Sequence, residues 1–153
     1  MLSEARLVIV GEYRTFARYY DALQAMVKKL GLDEVHFTGH VTQEELNAYY
    51  RVADAFVCMS EHEGFCVPLF EAMHRGLPVF AFDAAAIPYS TGEGILLFED
   101  KDPALIGETI ATVLGDEPLR EALVARQRQA LELLQRDHVH TTLMEHLRAL
   151  GAD

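Results

Sequence analysis

The sequence predicts an α/β fold in which a mostly parallel sheet is flanked by helices. Two observations support this prediction: five short apolar runs alternate with segments of helical periodicity, and glycines close several of these runs. Such alternation is typical of parallel strands joined by helices that cover both faces of a sheet. The chain has 153 residues, of which 50% are hydrophobic, so we expect a single domain over residues 1–153.

The strands are predicted from apolar runs that end at turn residues. The first run is uninterrupted and ends at Gly11, as expected for a strand buried on both faces. The last run is expected at an edge of the sheet. The predicted strands are Leu7–Val10, Val35–Phe37, Ala55–Cys58, Pro78–Phe82 and Ile95–Phe98.

The helices are predicted from apolar periodicity and from the residues at their ends. Gly31 suits the left-handed position that follows a helix, and Thr42 with Glu45 forms a capping box. Asp102 and Asp116 each precede a further helix, the second of which runs to about Arg136. The predicted helices span about residues 16–30, 43–52, 68–75, 103–115 and 117–136, with a last amphipathic helix over 137–153.

Composition excludes several classes of protein. With 13 basic and 24 acidic residues the net charge is −11, which disfavours binding to nucleic acid and to anionic lipid. The two cysteines form no Cys-x-x-Cys pair, which argues against a disulfide scaffold and a zinc ribbon. No signal peptide is recognisable, and no run approaches the roughly 20 apolar residues that cross a membrane. We therefore expect a reduced, cytoplasmic setting.

The most informative segment is residues 61–71, which follows the third strand and opens a helix. Ligands of such sheets bind outside the carboxyl ends of the strands. Backbone N–H groups at a helix start favour an anion, and Gly64 allows the backbone to approach a ligand closely. The sequence therefore predicts an anion pocket between Gly64 and Leu69.

Two carboxylates bracket this predicted pocket. A carboxylate accepts two hydrogen bonds well from a vicinal diol, which sugars and riboses present. Glu63 and Glu71 are therefore candidates for binding a sugar and a ribose. The alternative is that Glu63 is a solvated loop residue and that Glu71 interacts with the helix dipole.

The segment also resembles the signature of family 4 of the glycosyltransferases, two glutamates separated by seven residues. Here these are Glu63 and Glu71, and the resemblance extends over about residues 6–135. It includes Ser60-x-x-Glu63-Gly64-Phe65, Pro68-Leu69-x-Glu71-Ala72-Met73 and Gly76-x-Pro78-Val79.

The resemblance implies the C-terminal, Rossmann-like lobe of a two-lobed GT-B enzyme, which binds a nucleotide diphosphate sugar. Transfer in this family retains the anomeric configuration and uses no metal, so no cofactor and no metal ligand are expected. The implied roles are donor-sugar and catalytic contacts for Glu63, ribose for Glu71, nucleobase for His40 and Val41, and sugar and diphosphate contacts for Gly64, Phe65, Cys66 and Val67.

This sequence departs from the family pattern at three points. The family's lobe begins one strand earlier, and that strand carries an Arg and Lys pair that neutralises the diphosphate; nothing before Leu7 matches it. Arg14 is the substitute candidate for a phosphate contact. The acceptor-binding N-terminal lobe is not matched either, and Tyr89 follows Pro88 where the family has Glu. We therefore expect weak donor binding and no transfer by this chain alone.

The unmatched strand would be central in the expected sheet. Its absence would leave unpaired strand edges, which favour pairing with another chain. We therefore expect a rearranged sheet or a homo-oligomer.

Three functions follow as hypotheses. The first is the donor lobe of a sugar transferase, and the second is a non-catalytic module that binds nucleotide or self-associates. The third, a related nucleotide-sugar enzyme such as a 2-epimerase, is disfavoured by the Glu63-to-Glu71 spacing. Cys66 is expected to line the pocket without acting as a nucleophile, and His62 could contact the sugar. His138 and His140 are a weak zinc signal.

Overall fold

The computed structural model describes residues 5–136, 145–146 and 148–149. The predicted alternation of strands and helices is confirmed. The elements are β1 (Leu7–Val10), a 3-10 turn (Arg14–Phe16), α1 (Ala17–Leu30), β2 (Val35–Gly39), α2 (Gln43–Val52), β3 (Phe56–Cys58), α3 (Val67–His74), β4 (Val79–Phe82), α4 (Ile87–Thr91), β5 (Leu96–Phe98), α5 (Pro103–Gly115) and α6 (Glu117–Arg136). Among the described residues, no helix combines the length and the apolar character needed to span a bilayer.

The described strands form two parallel sheets, which differs from the single sheet that the sequence predicts. The described residues up to Ala53 form one compact unit with β1 and β2, and those from Asp54 onward form a second unit with β3, β4 and β5 in that order. All three pairings are parallel. Among the described strands, β1 pairs with β2 alone and β3 pairs with β4 alone.

In the first unit, the prediction that β1 is buried is wrong. Leu7, Val8, Ile9 and Val10 are 36–50% exposed, because the strand pairs with β2 alone among the described strands and has few neighbours on its faces. The helix α1 contacts β2 through an edge-to-face pair between Tyr20 and Phe37, with ring centroids 5.3 Å apart. Apolar side chains along α1 also remain exposed: Tyr19, Met26 and Leu30.

The helix ends of the first unit follow the sequence signals. Gly31 adopts the left-handed conformation at the end of α1, with φ of 64°. At the start of α2, the Thr42 hydroxyl accepts a hydrogen bond from the Glu45 N–H, and the Glu45 carboxylate accepts one from the Thr42 N–H. Both predictions are confirmed, because each signal depends on a few neighbouring residues.

The core of the second unit surrounds β4. This strand lies between β3 and β5, and its residues Val79, Phe80 and Ala81 are fully buried. Helix α3 covers it with Leu69, Ala72 and Met73, which are also fully buried. A central parallel strand covered on both faces requires such a continuous apolar run. As predicted, β5 is an edge strand, since β4 is its one partner among the described strands.

Other predictions have mixed outcomes. The short helix α4 was not predicted, and Gly92 and Gly94 lie in the turn that follows it. A Cβ on Gly94 would lie 2.5 Å from the Cβ of Ala130, so α6 packs directly on this turn. The predicted last helix over 137–153, with His138 and His140, falls mostly outside the described residues.

Candidate functional site

The candidate site lies at the carboxyl ends of the second unit's strands. The segment 59–66 connects β3 to α3, residues 83–86 follow β4, and residues 99–102 follow β5. Because the three strands are parallel, these segments leave the sheet at the same edge. This is the edge at which doubly wound sheets bind ligands.

Two residues with left-handed backbone lie at this edge. Cys66, at the N-cap of α3, has φ of 58° and ψ of 61°, and Ala85 has φ of 52°. Each costs about 1–2 kcal/mol relative to ordinary backbone. The loops that contain them are joined, since the Ala86 N–H donates to the Glu63 carbonyl at 3.5 Å. Such strain is common at ligand sites, where a fixed turn is needed.

Gly64 has space above it. A Cβ at this position would have no atom of the described chain within 4 Å, and its φ is not in the left-handed region. Nothing in the surrounding fold therefore requires glycine. The prediction that Gly64 allows the close approach of a ligand stays a prediction.

The two candidate glutamates occupy different environments. Glu63 is half-buried in the loop before α3, rather than fully solvated. Glu71 is the fifth residue of α3, so it lies beyond the first turn of the helix. The helix dipole acts mainly on charges within that first turn. The helix dipole therefore acts only weakly on Glu71. Its side chain is half-buried, and its role toward a ribose and that of Glu63 toward a sugar stay predictions.

Aromatic and aliphatic side chains form an exposed rim beside the turn. Phe65 and Val67 are 54% and 56% exposed. The Phe65 ring stacks on the buried ring of Phe70, with centroids 4.5 Å apart. Phe65 therefore has one face held by the protein and keeps half of its surface available to a ligand. His62, the other candidate in this loop, is exposed.

A lysine at the same edge was missed by the sequence analysis. The Lys101 ammonium lies 2.8 Å from a carboxylate oxygen of Glu61 and 4.5 Å from the centroid of the Phe82 ring. The hydrogen bond and the positive charge of Lys101 lower the pKa of Glu61. This pair ties the loop before α3 to the segment after β5.

Cys58, Glu63 and Cys66 come together beneath the turn. The two sulfur atoms are 3.8 Å apart, and a Glu63 carboxylate oxygen lies within 4.8 Å of both. Burial, the neighbouring Cys58 and the Glu63 charge raise the pKa of the Cys66 thiol to about 12. A protonated thiol is a weak nucleophile, which is consistent with the prediction that Cys66 only lines the site.

The other predicted site residues belong to the first unit. His40 and Val41 follow β2 in the first unit, with His40 exposed and Val41 half-buried. Gly39 precedes them with φ of 72°, and a Cβ there would lie 3.0 Å from the Tyr13 ring, so this position requires glycine. Arg14 begins the 3-10 turn of the first unit. In the second unit, Tyr89 is 90% exposed on α4.

A family model and several curated proteins match this chain. The model described as glycosyl transferases group 1 matches residues 1–130. A D-inositol 3-phosphate glycosyltransferase of Corynebacterium efficiens is 38% identical over 95 residues, which are 60% of this chain and 22% of that protein. A GDP-mannose-dependent alpha-mannosyltransferase of Mycobacterium tuberculosis is 36% identical over 131 residues, 80% of this chain and 30% of that protein. The chain thus spans less than a third of either relative.

Solved structures match the fold. The C-terminal domain of a glycosyl transferase group 1 family protein, LpcC from Francisella tularensis, has 27% identity and a TM-score of 0.72, covering 87% of this chain and 71% of that domain. Anabaena HepE, solved with UDP-glucose, has 22% identity and a TM-score of 0.77, covering 97% of this chain and 41% of HepE. The architecture is therefore that of a C-terminal domain of a GT-B glycosyltransferase.

Proposed function

Because this chain belongs to the family of group 1 glycosyl transferases, we propose that it binds the nucleotide diphosphate sugar from which a hexosyl or related residue is transferred to an acceptor. The observation that carries the proposal is the turn between β3 and α3. It places Glu63, the open Gly64 and the start of α3 at the carboxyl edge of a parallel sheet. That edge is where a phosphate-bearing ligand is favoured.

The donor is expected to lie along this turn. The diphosphate would meet the backbone of residues 64–67 at the start of α3, where the helix dipole favours negative charge. Glu63 would accept hydrogen bonds from sugar hydroxyls and act as the catalytic contact, and Glu71 would bind the ribose diol. The roles of His40 and Val41 toward a nucleobase and of Arg14 toward a phosphate are proposed from the sequence and its family resemblance alone. HepE, which has the same fold, was solved with UDP-glucose, and this supports a donor of that class.

We further propose that transfer proceeds with retention of anomeric configuration and without a metal cofactor, as the family 4 resemblance implies. The chain alone is expected to be inactive, since it spans 22% and 30% of the two relatives and we expect an acceptor-binding lobe to complete the reaction. Its net charge of −11 also disfavours binding of a diphosphate unless positively charged groups outside this chain neutralise it. A cytoplasmic location is supported by two free thiols, Cys58 and Cys66.

A second candidate function is a self-associating module, which the exposure of β1 favours. β1 is apolar and pairs on one edge alone among the described strands, and such a strand is a template for pairing with another chain. We therefore propose a homo-oligomer formed through β1. Sedimentation velocity over a range of concentrations should detect it, and Val8→Lys should shift the chain toward the monomer. Glu12→Lys, a charge-reversal control outside the strand, should not. Concentration-independent monomers would contradict the proposal.

Calorimetric titration with UDP, GDP and ADP tests the donor proposal. We expect one nucleotide to bind, and Glu71→Gln to weaken its affinity by about tenfold or more, because a charged hydrogen-bond acceptor is lost. Glu108→Gln is the matched control, since Glu108 is an exposed glutamate on α5. Equal affinity in Glu71→Gln, or no binding of any nucleotide at millimolar concentration, would contradict the proposal.

A further inference from the structure

Three potential metal ligands meet where β3 leads into α3. Cys58 ends β3, Glu63 lies in the connecting loop, and Cys66 is the N-cap of α3. Each offers one ligand atom, and these three atoms lie within 4.8 Å of one another. Cys66 is buried, while Cys58 and Glu63 are half-buried. The cluster is therefore largely shielded by the fold but not sealed from solvent.

The spacing of the two sulfur atoms matches a tetrahedral metal centre. In such a centre, two Zn–S bonds of about 2.3 Å place their sulfur atoms about 3.8 Å apart. The Sγ atoms of Cys58 and Cys66 are 3.8 Å apart. A disulfide would require them at about 2.05 Å, so the present arrangement needs movement to form one. A carboxylate is the third kind of ligand that zinc accepts.

We propose that Cys58, Glu63 and Cys66 bind a thiophilic divalent cation, with Zn²⁺ as the favoured ion. The three protein ligands leave a fourth position open to water. Binding exchanges the protons of the two thiols for the cation, so the two sulfur atoms become thiolate ligands. The sequence spacing gives no sign of this site, because the cysteines are eight positions apart and depend on the left-handed turn at Cys66.

The cation would also affect donor binding, a consequence that rests on the proposed function. Glu63 is the carboxylate proposed to contact the donor sugar. A carboxylate that coordinates zinc is less available to sugar hydroxyls. Zn²⁺ would therefore compete with the nucleotide sugar rather than assist its transfer, and the chain would bind the donor more weakly when loaded with the cation.

Titration of the full chain with Co²⁺ under reducing conditions tests the site. We expect an equimolar thiolate-to-cobalt charge-transfer band that added Zn²⁺ removes. Cys58→Ser and Cys66→Ser should each weaken cobalt binding by about tenfold or more. Glu63→Gln, a change in a loop, should weaken it similarly and keeps the test valid if a cysteine variant fails to fold. Glu61→Gln and His62→Asn, its loop neighbours, should bind as the wild type does.

Three outcomes would overturn the proposal. The first is a wild-type chain that shows no band, and the second is a band that persists in both cysteine variants. The third is a mass two hydrogens lower under the same conditions, which would reveal a disulfide. Nucleotide titration separates this proposal from the donor proposal. A cobalt band without nucleotide binding refutes only the donor site, and nucleotide binding without a band refutes only the metal site.

Discussion

The side-chain oxygen of Gln127 accepts a hydrogen bond from the backbone N–H of Val79 at 2.9 Å. The amide nitrogen of the same side chain donates to the Leu77 carbonyl at 2.7 Å. Gln127 is fully buried on α6, and it satisfies both backbone groups at the start of the central strand β4. A buried polar side chain thus links α6 to the sheet through two hydrogen bonds.

Replacing Gln127 by methionine should destabilise the chain strongly. Methionine has a similar volume, so the change removes the two hydrogen bonds without creating a large cavity. Two buried backbone groups lose their partners, at a cost of roughly 1–3 kcal/mol each. Urea unfolding followed by circular dichroism measures the loss. Gln129→Met, at an exposed position of α6, should have little effect, and equal stability of the two variants would refute the interpretation.

Gly94→Ala should lower stability by about 1–3 kcal/mol, as expected for overpacking. The new Cβ would lie 2.5 Å from the Cβ of Ala130 and 3.0 Å from the Thr91 carbonyl oxygen. Gly107→Ala provides a control of opposite sign. Gly107 lies inside α5 with no atom within 4 Å of an added Cβ, so alanine should stabilise the helix by about 0.5–1 kcal/mol. Thermal unfolding of both variants measures the difference, which should exceed about 1 kcal/mol.

Ala85→Gly should raise the stability of the second unit by up to about 1 kcal/mol, the balance of two backbone effects. Ala85 has φ of 52°, a left-handed conformation that costs about 1–2 kcal/mol for a residue with a Cβ. Glycine relieves this strain, and its greater entropy in the unfolded chain offsets part of the gain. Ala84→Gly is the control. Ala84 has no positive φ, so glycine relieves no strain there and the substitution should only lower stability. The midpoints of urea unfolding show whether each substitution raises or lowers stability.

The capping box should make the stability of the first unit depend on pH. The hydrogen bonds from Thr42 lower the pKa of Glu45. A carboxyl group whose pKa is lower in the folded state stabilises the fold above its ordinary pKa, and this stabilisation is lost as the pH falls through the folded value. Glu45→Ala should therefore reduce stability at about pH 7 and matter little at about pH 3. Urea unfolding of the wild type and of Glu45→Ala at both pH values measures this, and an equal loss of stability at the two pH values would contradict the prediction.

Signals that depend on a few adjacent residues were the easiest to predict from the sequence. The capping box at Thr42 and the left-handed Gly31 are determined by local backbone geometry, so the structure agrees with both predictions. The position of the motif after β3 follows from the alternation of strands and helices. The family resemblance then added roles for Glu63 and Glu71 that residue types alone could not assign.

Features that depend on distant partners were predicted poorly. The run Leu7–Val10 has the composition of a buried strand, yet burial requires covering elements, and composition does not reveal them. Gln127 looks like any polar residue of an amphipathic helix until Val79 is placed against it. The contact between Cys58 and Cys66 likewise depends on the backbone turn that reverses the chain between them.

The close packing of Gly94 against Ala130 restricts how this sequence can diverge. As long as alanine occupies position 130, an added Cβ at position 94 meets it, so a substitution at 94 costs less stability once residue 130 is glycine. Even then the Thr91 carbonyl remains 3.0 Å from the new atom, so the second substitution recovers only part of the lost stability. A change at position 130 should therefore precede a change at position 94, although the two positions are 36 residues apart.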